Sequence, residues 1–249
     1  RAVKCLVLAA GMSTRLAALT GGAPKPLTPV GGVPVLHRNL RWLARCGIRD
    51  VFVNLHYRRE EIMASVGDGS ALGVRVAWSV EDPILGTAGG TKKLERELTA
   101  DGAPFLVVYG DNVLDFNLRA MLEAHAASRA RDSSLLGTIA VFDPAKNLHT
   151  GIAGGRVAMD RASRVTGFVE GPADAPGCVN AAVYLLEKEV LNHVPPPPIA
   201  TDWARDIFPR MLAASLHLRA HRIDGYCLGI DTPESYAQAQ QHFQAGVAR

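Results

Sequence analysis

The sequence predicts an α/β fold: a Rossmann-like, mixed but mostly parallel sheet with helices on both faces, in a single domain. Three observations carry this. Apolar runs of strand length alternate with amphipathic runs of helical period through the first half of the chain. Several of those runs stop at a glycine, as strand-to-helix and helix-to-strand turns do. The 249 residues contain no internal repeat and no linker, and at roughly 150 residues per domain they suit one large domain. Strand, turn, helix and strand repeated in this way argue for a parallel sheet covered on both sides.

The elements follow in order. Residues 3–10 are almost wholly apolar up to Gly11 and read as a buried strand. Over 35–46, Val35, Leu36, Leu40 and Leu43 fall on one helical face, and Gly47 closes the helix. Residues 50–55 are a second strand, 60–66 a short helix, 74–78 an alternating strand and 105–109 a buried strand ending at Gly110 and Asp111. Beyond about residue 135 the pattern changes to strands at 135–141 and 181–186 with glycine-rich connections. Pro195, Pro196, Pro197 and Pro198 admit neither helix nor central strand and predict a stiff loop. Residues 202–212 read as helical, and 233–243 as a terminal helix capped by Thr232. On this reading 1–134 is mainly a nucleotide-binding half and 135–249 mainly a sugar-binding half.

Composition narrows the function. With 48% hydrophobic and 20% charged residues, disorder and collagen-like structure are excluded. No apolar run reaches ~18 residues, so no membrane span is predicted, and the first apolar run lacks the pattern of a signal peptide. A net charge of +3 gives no stripe dense enough for nucleic acid. Cys5, Cys46, Cys178 and Cys227 are widely spaced, which predicts free thiols in a soluble, cytoplasmic protein. The histidines show no zinc spacing, Ser13 lies in no G-x-S-x-G elbow, and Trp42 and Trp78 suit core positions. Assembly as a homo-oligomer stays open.

The chemistry concentrates in Leu8-Ala9-Ala10-Gly11-Met12-Ser13-Thr14-Arg15-Leu16, followed by Pro24-Lys25-Pro26-Leu27-Thr28-Pro29. A turn of small residues after the first strand lets backbone N–H groups approach phosphate, Ser13 and Thr14 add hydroxyls, and Arg15 and Lys25 add positive charge. The spacing is neither G-x-G-x-x-G nor a P-loop, which weighs against a dinucleotide dehydrogenase and a classical NTPase.

These motifs resemble the signature of the sugar-1-phosphate nucleotidyltransferases. The resemblance is closest in look to the mannose- and heptose-1-phosphate guanylyltransferases. Further matches follow in order: Leu85-Gly86-Thr87-Ala88-Gly89, Tyr109-Gly110-Asp111-Asn112, Arg164 to Glu170, Asn180-Ala181-Ala182-Val183-Tyr184 and Thr232-Pro233-Glu234-Ser235-Tyr236. The resemblance implies transfer of a nucleotidyl group from an NTP to a sugar 1-phosphate, with Mg²⁺ as cofactor and pyrophosphate released. It implies that Arg15 holds pyrophosphate, Lys25 the reacting phosphates, and Asp111 the metal. Leu8, Ala10, Gly11, Met12, Ser13, Thr14, Gly86 and Thr87 would line the nucleotide, and Asn112, Glu170 and Asn180 the sugar.

Two departures stand out. Gly171 occupies the place of a lysine that in the family meets the sugar phosphate, leaving Arg164, Arg156 or Lys146 as neighbours able to supply charge. The second metal carboxylate is displaced by two residues, from the usual Asp-x-Gly-Thr-Pro to Gly229-Ile230-Asp231-Thr232-Pro233. In an extended segment two residues return a side chain to the same face, so Asp231 is expected at the metal. For the base, Glu81 is expected to accept from the adjacent N1–H and 2-amino donors of guanine, which favours GTP. Thymidylyl, uridylyl or cytidylyl transfer, a non-sugar phosphate acceptor and an inactive nucleotide-sugar-binding regulatory subunit are the alternatives. The chain ends about where the family's catalytic domain does, so no second activity is expected.

Overall fold

The computed structural model describes residues 2–11, 22–150, 155–169 and 177–247. Its strands are β1 (Cys5–Leu8), β2 (Pro29–Val30), β3 (Val33–Pro34), β4 (Asp50–Leu55), β5 (Arg75–Val80), β6 (Phe105–Tyr109), β7 (Asn112–Asp115), β8 (Leu135–Phe142), β9 (Arg156–Met159), β10 (Val165–Val169), β11 (Cys178–Leu186), β12 (His217–Arg222) and β13 (Tyr226–Gly229). Nine form one sheet in the order β10-β9-β11-β6-β1-β4-β5, with β8 joined to β11 and β12 to β8. The pairings β5–β4–β1–β6 are parallel, and those of β6–β11, β11–β8, β11–β9 and β9–β10 are antiparallel. With β12 parallel to β8, only β10 and β11 run against the rest. The predicted mixed, mostly parallel sheet is therefore what forms, and both halves of the chain share it.

Side-chain alternation along these strands builds two cores. Val7, Val108 and Val183 face one side, where the helices Val35–Arg45, Arg59–Val66 and Leu118–Arg131 cover them. Leu6, Val107 and Tyr184 face the other, under Gly86–Lys93, Glu95–Thr99 and Phe208–Ala213. Helices thus lie on both faces, as strands buried on both sides require. Val35–Arg45 ends as its sequence predicts. Gly47 takes φ +87°, its N–H bonds Ala44 O at 3.1 Å, and Ile48 N–H bonds Leu43 O at 3.0 Å, the paired bonds of a Schellman motif.

The stretch 202–212 departs from the single helix expected of it. Trp203–Ile207 forms a wider π turn, and α-helix begins only at Phe208. Pro209 has no N–H to give the carbonyl of Arg205, so the ladder opens. Ile207 N–H instead reaches Asp202 O at 3.1 Å. The Asp202 carboxylate caps the turn through Ala204 N and Arg205 N. Cys5, Cys46, Cys178 and Cys227 are free thiols, and burial pushes Cys5 and Cys227 well above the usual range. Among the described residues no helix is long and apolar enough to cross a membrane.

Candidate active site

The site lies at the carboxyl ends of β1, β4 and β6. Leu8, Ala9 and Ala10 are buried there and Gly11 is exposed, with no described atom within 4 Å of where a Cβ would stand. Gly110 N–H bonds Leu8 O at 2.9 Å, and a side chain at Gly110 would collide with that carbonyl. Met12, Ser13, Thr14, Arg15 and Glu170, all expected ligands, lie outside the described residues, as does Gly171.

Three groups separated in sequence meet at this mouth. Lys25 opens the short 3₁₀ turn Lys25–Leu27 between Pro24 and Pro26. Its Nζ donates to Asp111 Oδ2 at 2.8 Å and to Asp231 Oδ1 at 2.5 Å. The carboxylates converge because β7 and β13 pair antiparallel with Asn112 opposite Gly229, which brings Asp111 and Asp231 off adjoining strand ends. Asn39 secures that ladder by donating to Asn112 O at 2.7 Å. Thr232 then starts the helix Pro233–Val247, its hydroxyl accepting from Ser235 N at 3.2 Å. The displaced carboxylate therefore does stand beside Asp111, on the same ammonium.

Burial alone would depress the Lys25 pKa. The charges of Asp111 and Asp231, with the hydrogen bonds to both, outweigh it and hold the ammonium above the ordinary lysine range. Lys25 is 11% exposed and the carboxylates 36% and 37%, so the acids face outward while the lysine sits beneath them. Two hard oxygen donors converging on one cation suit Mg²⁺, which keeps open positions for waters and phosphates. Among the described residues no cluster of three or more His, Cys, Asp or Glu forms a closed cage. The donor set fits a metal that arrives with phosphate.

Other expected ligands make hydrogen bonds or close contacts within the scaffold. Glu81 is 1% exposed and both its oxygens are engaged: Oε1 accepts from Asn54 Nδ2 at 2.8 Å and Oε2 from Leu85 N at 2.9 Å. Asn54 Oδ1 in turn accepts from Ala9 N at 2.7 Å. The outward fork expected for guanine is not available in this arrangement, because Glu81 ties β4 to the loop that starts helix Gly86–Lys93. Thr87 Oγ1 donates to Asp202 Oδ2 at 2.7 Å and accepts from Trp203 N at 2.9 Å. Gly86 takes φ +73° beneath Thr201. Asn180 donates to Tyr184 Oη at 2.7 Å and accepts from Ala182 N at 2.9 Å, holding Ala182 at φ +56° in a bulge of β11. Asn112 is buried in the β7–β13 ladder.

The sequence reading missed Asn54, Asn39 and Asp202. For Asn54 a signal existed: a lone amide near the carboxyl end of a strand that is apolar from Val51 to Val53, where ligands bind in open α/β sheets.

Residues 4–246 match the nucleotidyl transferase family. A mannose-1-phosphate guanylyltransferase of Mycobacterium tuberculosis is 32% identical over 248 residues, covering 99% of this chain and 66% of that protein. A UTP–glucose-1-phosphate uridylyltransferase of Synechocystis is 29% identical, covering 95% of this chain and 62% of that one. The chain thus spans just under two thirds of the length of these relatives. The crystal structure of HddC from Yersinia pseudotuberculosis complexed with GMP-PN shares the fold, with a TM-score of 0.77 at 23% identity, over 97% of this chain and 99% of that one.

Proposed function

The chain belongs to the nucleotidyl transferase family, and we propose that it joins an NTP to a sugar 1-phosphate, releasing pyrophosphate and an NDP-sugar. The observation that carries the reading is the ammonium of Lys25 held between Asp111 and Asp231 at the carboxyl end of the sheet. A phosphate oxygen of the sugar 1-phosphate forms a bond to the α-phosphorus while the bond from that phosphorus to the β-phosphate bridge breaks. The nucleophile is already an anion, so no general base is required. What the site must supply is alignment of two anions and fixed positive charge.

Lys25 is assigned to the reacting phosphate oxygens, and Arg15 to the departing pyrophosphate. Asp111 and Asp231 would hold Mg²⁺. When bound, that ion offsets phosphate charge and orients the leaving group. Gly11, with no described atom within 4 Å of its Cβ position, leaves room for phosphate against the backbone. Leu8, Ala10, Gly86, Thr87 and the segment with Met12, Ser13 and Thr14 are proposed to border the nucleotide; Asn112, Glu170 and Asn180 border the sugar. GTP and a mannose-type sugar are favoured because guanylyltransferases of mannose 1-phosphate recur among the relatives. The uridylyl relative makes UTP the second nucleotide to test.

Pyrophosphate release with Mg²⁺, crossing five NTPs with mannose, glucose and heptose 1-phosphates, tests this. The expected result is turnover confined to one NTP, with GTP and mannose 1-phosphate best. Silence across the grid with nucleotide-sugar binding intact overturns the enzyme reading in favour of a binding subunit.

A further inference from the structure

Arg156 opens β9 and is 6% exposed, yet its Nε and Nη1 are buried without a hydrogen-bond partner among the described residues. Burying a guanidinium without an acceptor is unfavourable unless an anion arrives to accept those donors. Two other cations of this region are already occupied or exposed. Arg164 donates to Ser215 O at 3.3 Å, and Lys146, 75% exposed, pairs with Asp143 at 3.5 Å. Neither leaves buried donors unmet.

Register places Arg156. It lies opposite Val169 of β10 and Val179 of β11, and Asn180 N–H bonds Gly155 O at 2.9 Å. Directly opposed residues of antiparallel strands share a face. The neighbouring pair Val157 and Phe168 fills the core of the other face, so Arg156, Val169 and Val179 point to the opposite side. β11 runs against β6 with Val183 opposite Val108, and its first residues therefore extend past the end of β6, where Asp111 stands. Val169 is 63% exposed beside the buried guanidinium, an apolar wall open to solvent. Gly171, two residues on from Val169, brings no charge of its own.

We propose that Arg156 is the binding residue for the phosphoryl group of the sugar 1-phosphate, its unmet Nε and Nη1 donors awaiting two phosphate oxygens. The inference rests on the proposed transfer reaction and names the residue that holds its acceptor. A planar fork of N–H donors matches a phosphate better than a point charge does.

The test uses Arg156→Met, which keeps bulk and removes the charge, and Arg156→Lys. Thermal unfolding is followed with no ligand, with inorganic phosphate, with mannose 1-phosphate and with pyrophosphate. The wild type is expected to gain stability with both monophosphates, Arg156→Met to lose that response, and Arg156→Lys to keep part of it. In the kinetic arm, Arg156→Met raises KM for the sugar 1-phosphate at least tenfold and leaves KM for the NTP within twofold. An unchanged monophosphate response in Arg156→Met overturns the assignment, as does a wild-type response to pyrophosphate alone. Should no substrate pair turn over, the unfolding arm still decides the anion site, so failure of the reaction and failure of Arg156 are told apart.

Discussion

Asp111→Asn is expected to lower the rate of pyrophosphate release by roughly 10³-fold while leaving the unfolding temperature nearly unchanged. The substitution keeps the shape of the side chain and removes one of the two charges that meet at Lys25. Its stability cost is small because the carboxylate is over a third exposed, and exposed ion pairs contribute about 0–1 kcal/mol. Its kinetic cost is expected to be large because the proposed metal site needs the carboxylate when phosphates and their counter-ion arrive together. Asp231→Asn belongs to the same unit. The double variant is therefore expected to be little worse than the weaker single one, as for groups that act jointly. Additive losses would show that the two acids work separately. Steady-state rates and unfolding curves on the three variants check this.

Gly86→Ala adds a single methyl group yet is expected to cost stability in two ways, through backbone strain and through collision with backbone. Gly86 holds φ +73°, which costs an alanine about 1–2 kcal/mol. Its Cβ would also stand 2.4 Å from Thr201 O, against backbone that accepts from Ala88 N at 2.9 Å. Overpacking of this kind adds about 1–3 kcal/mol. For a domain of this size the total corresponds to roughly 5–15 °C in Tm. Activity should fall as well, because Thr201, Asp202 and Trp203 are joined to the start of the helix through Thr87. Unfolding by heat, with nucleotide affinity measured below the transition, reads both effects. A variant as stable as the wild type would mean that the Thr201 segment is free to move aside.

The fold was legible wherever the deciding interactions are local. The apolar run of β1, the alternation of β5 and the Gly47 stop each depend on neighbours a few residues away. The π turn at Trp203–Ile207 escaped because its cause, Pro209, lies in what reads as a helical pattern. In the site, Asp231 could be placed by counting residues, since period two governs extended chain. Glu81 could not. An acidic residue before a turn reads as exposed, and only Asn54, 27 residues earlier, and the Leu85 amide make it a buried strut. Arg156 was one of three candidate cations in the sequence. Its distinction, buried donors left unmet, belongs to tertiary structure alone.

The central claim is that Asp111 and Asp231 form the metal and phosphate pole of the site. Anomalous diffraction from crystals grown with Mn²⁺ and GTP tests it most directly. The account predicts a manganese peak between the two carboxylates, with Lys25 turned toward the phosphates. Bound nucleotide with manganese elsewhere, and Lys25 still seated between Asp111 and Asp231, would contradict it.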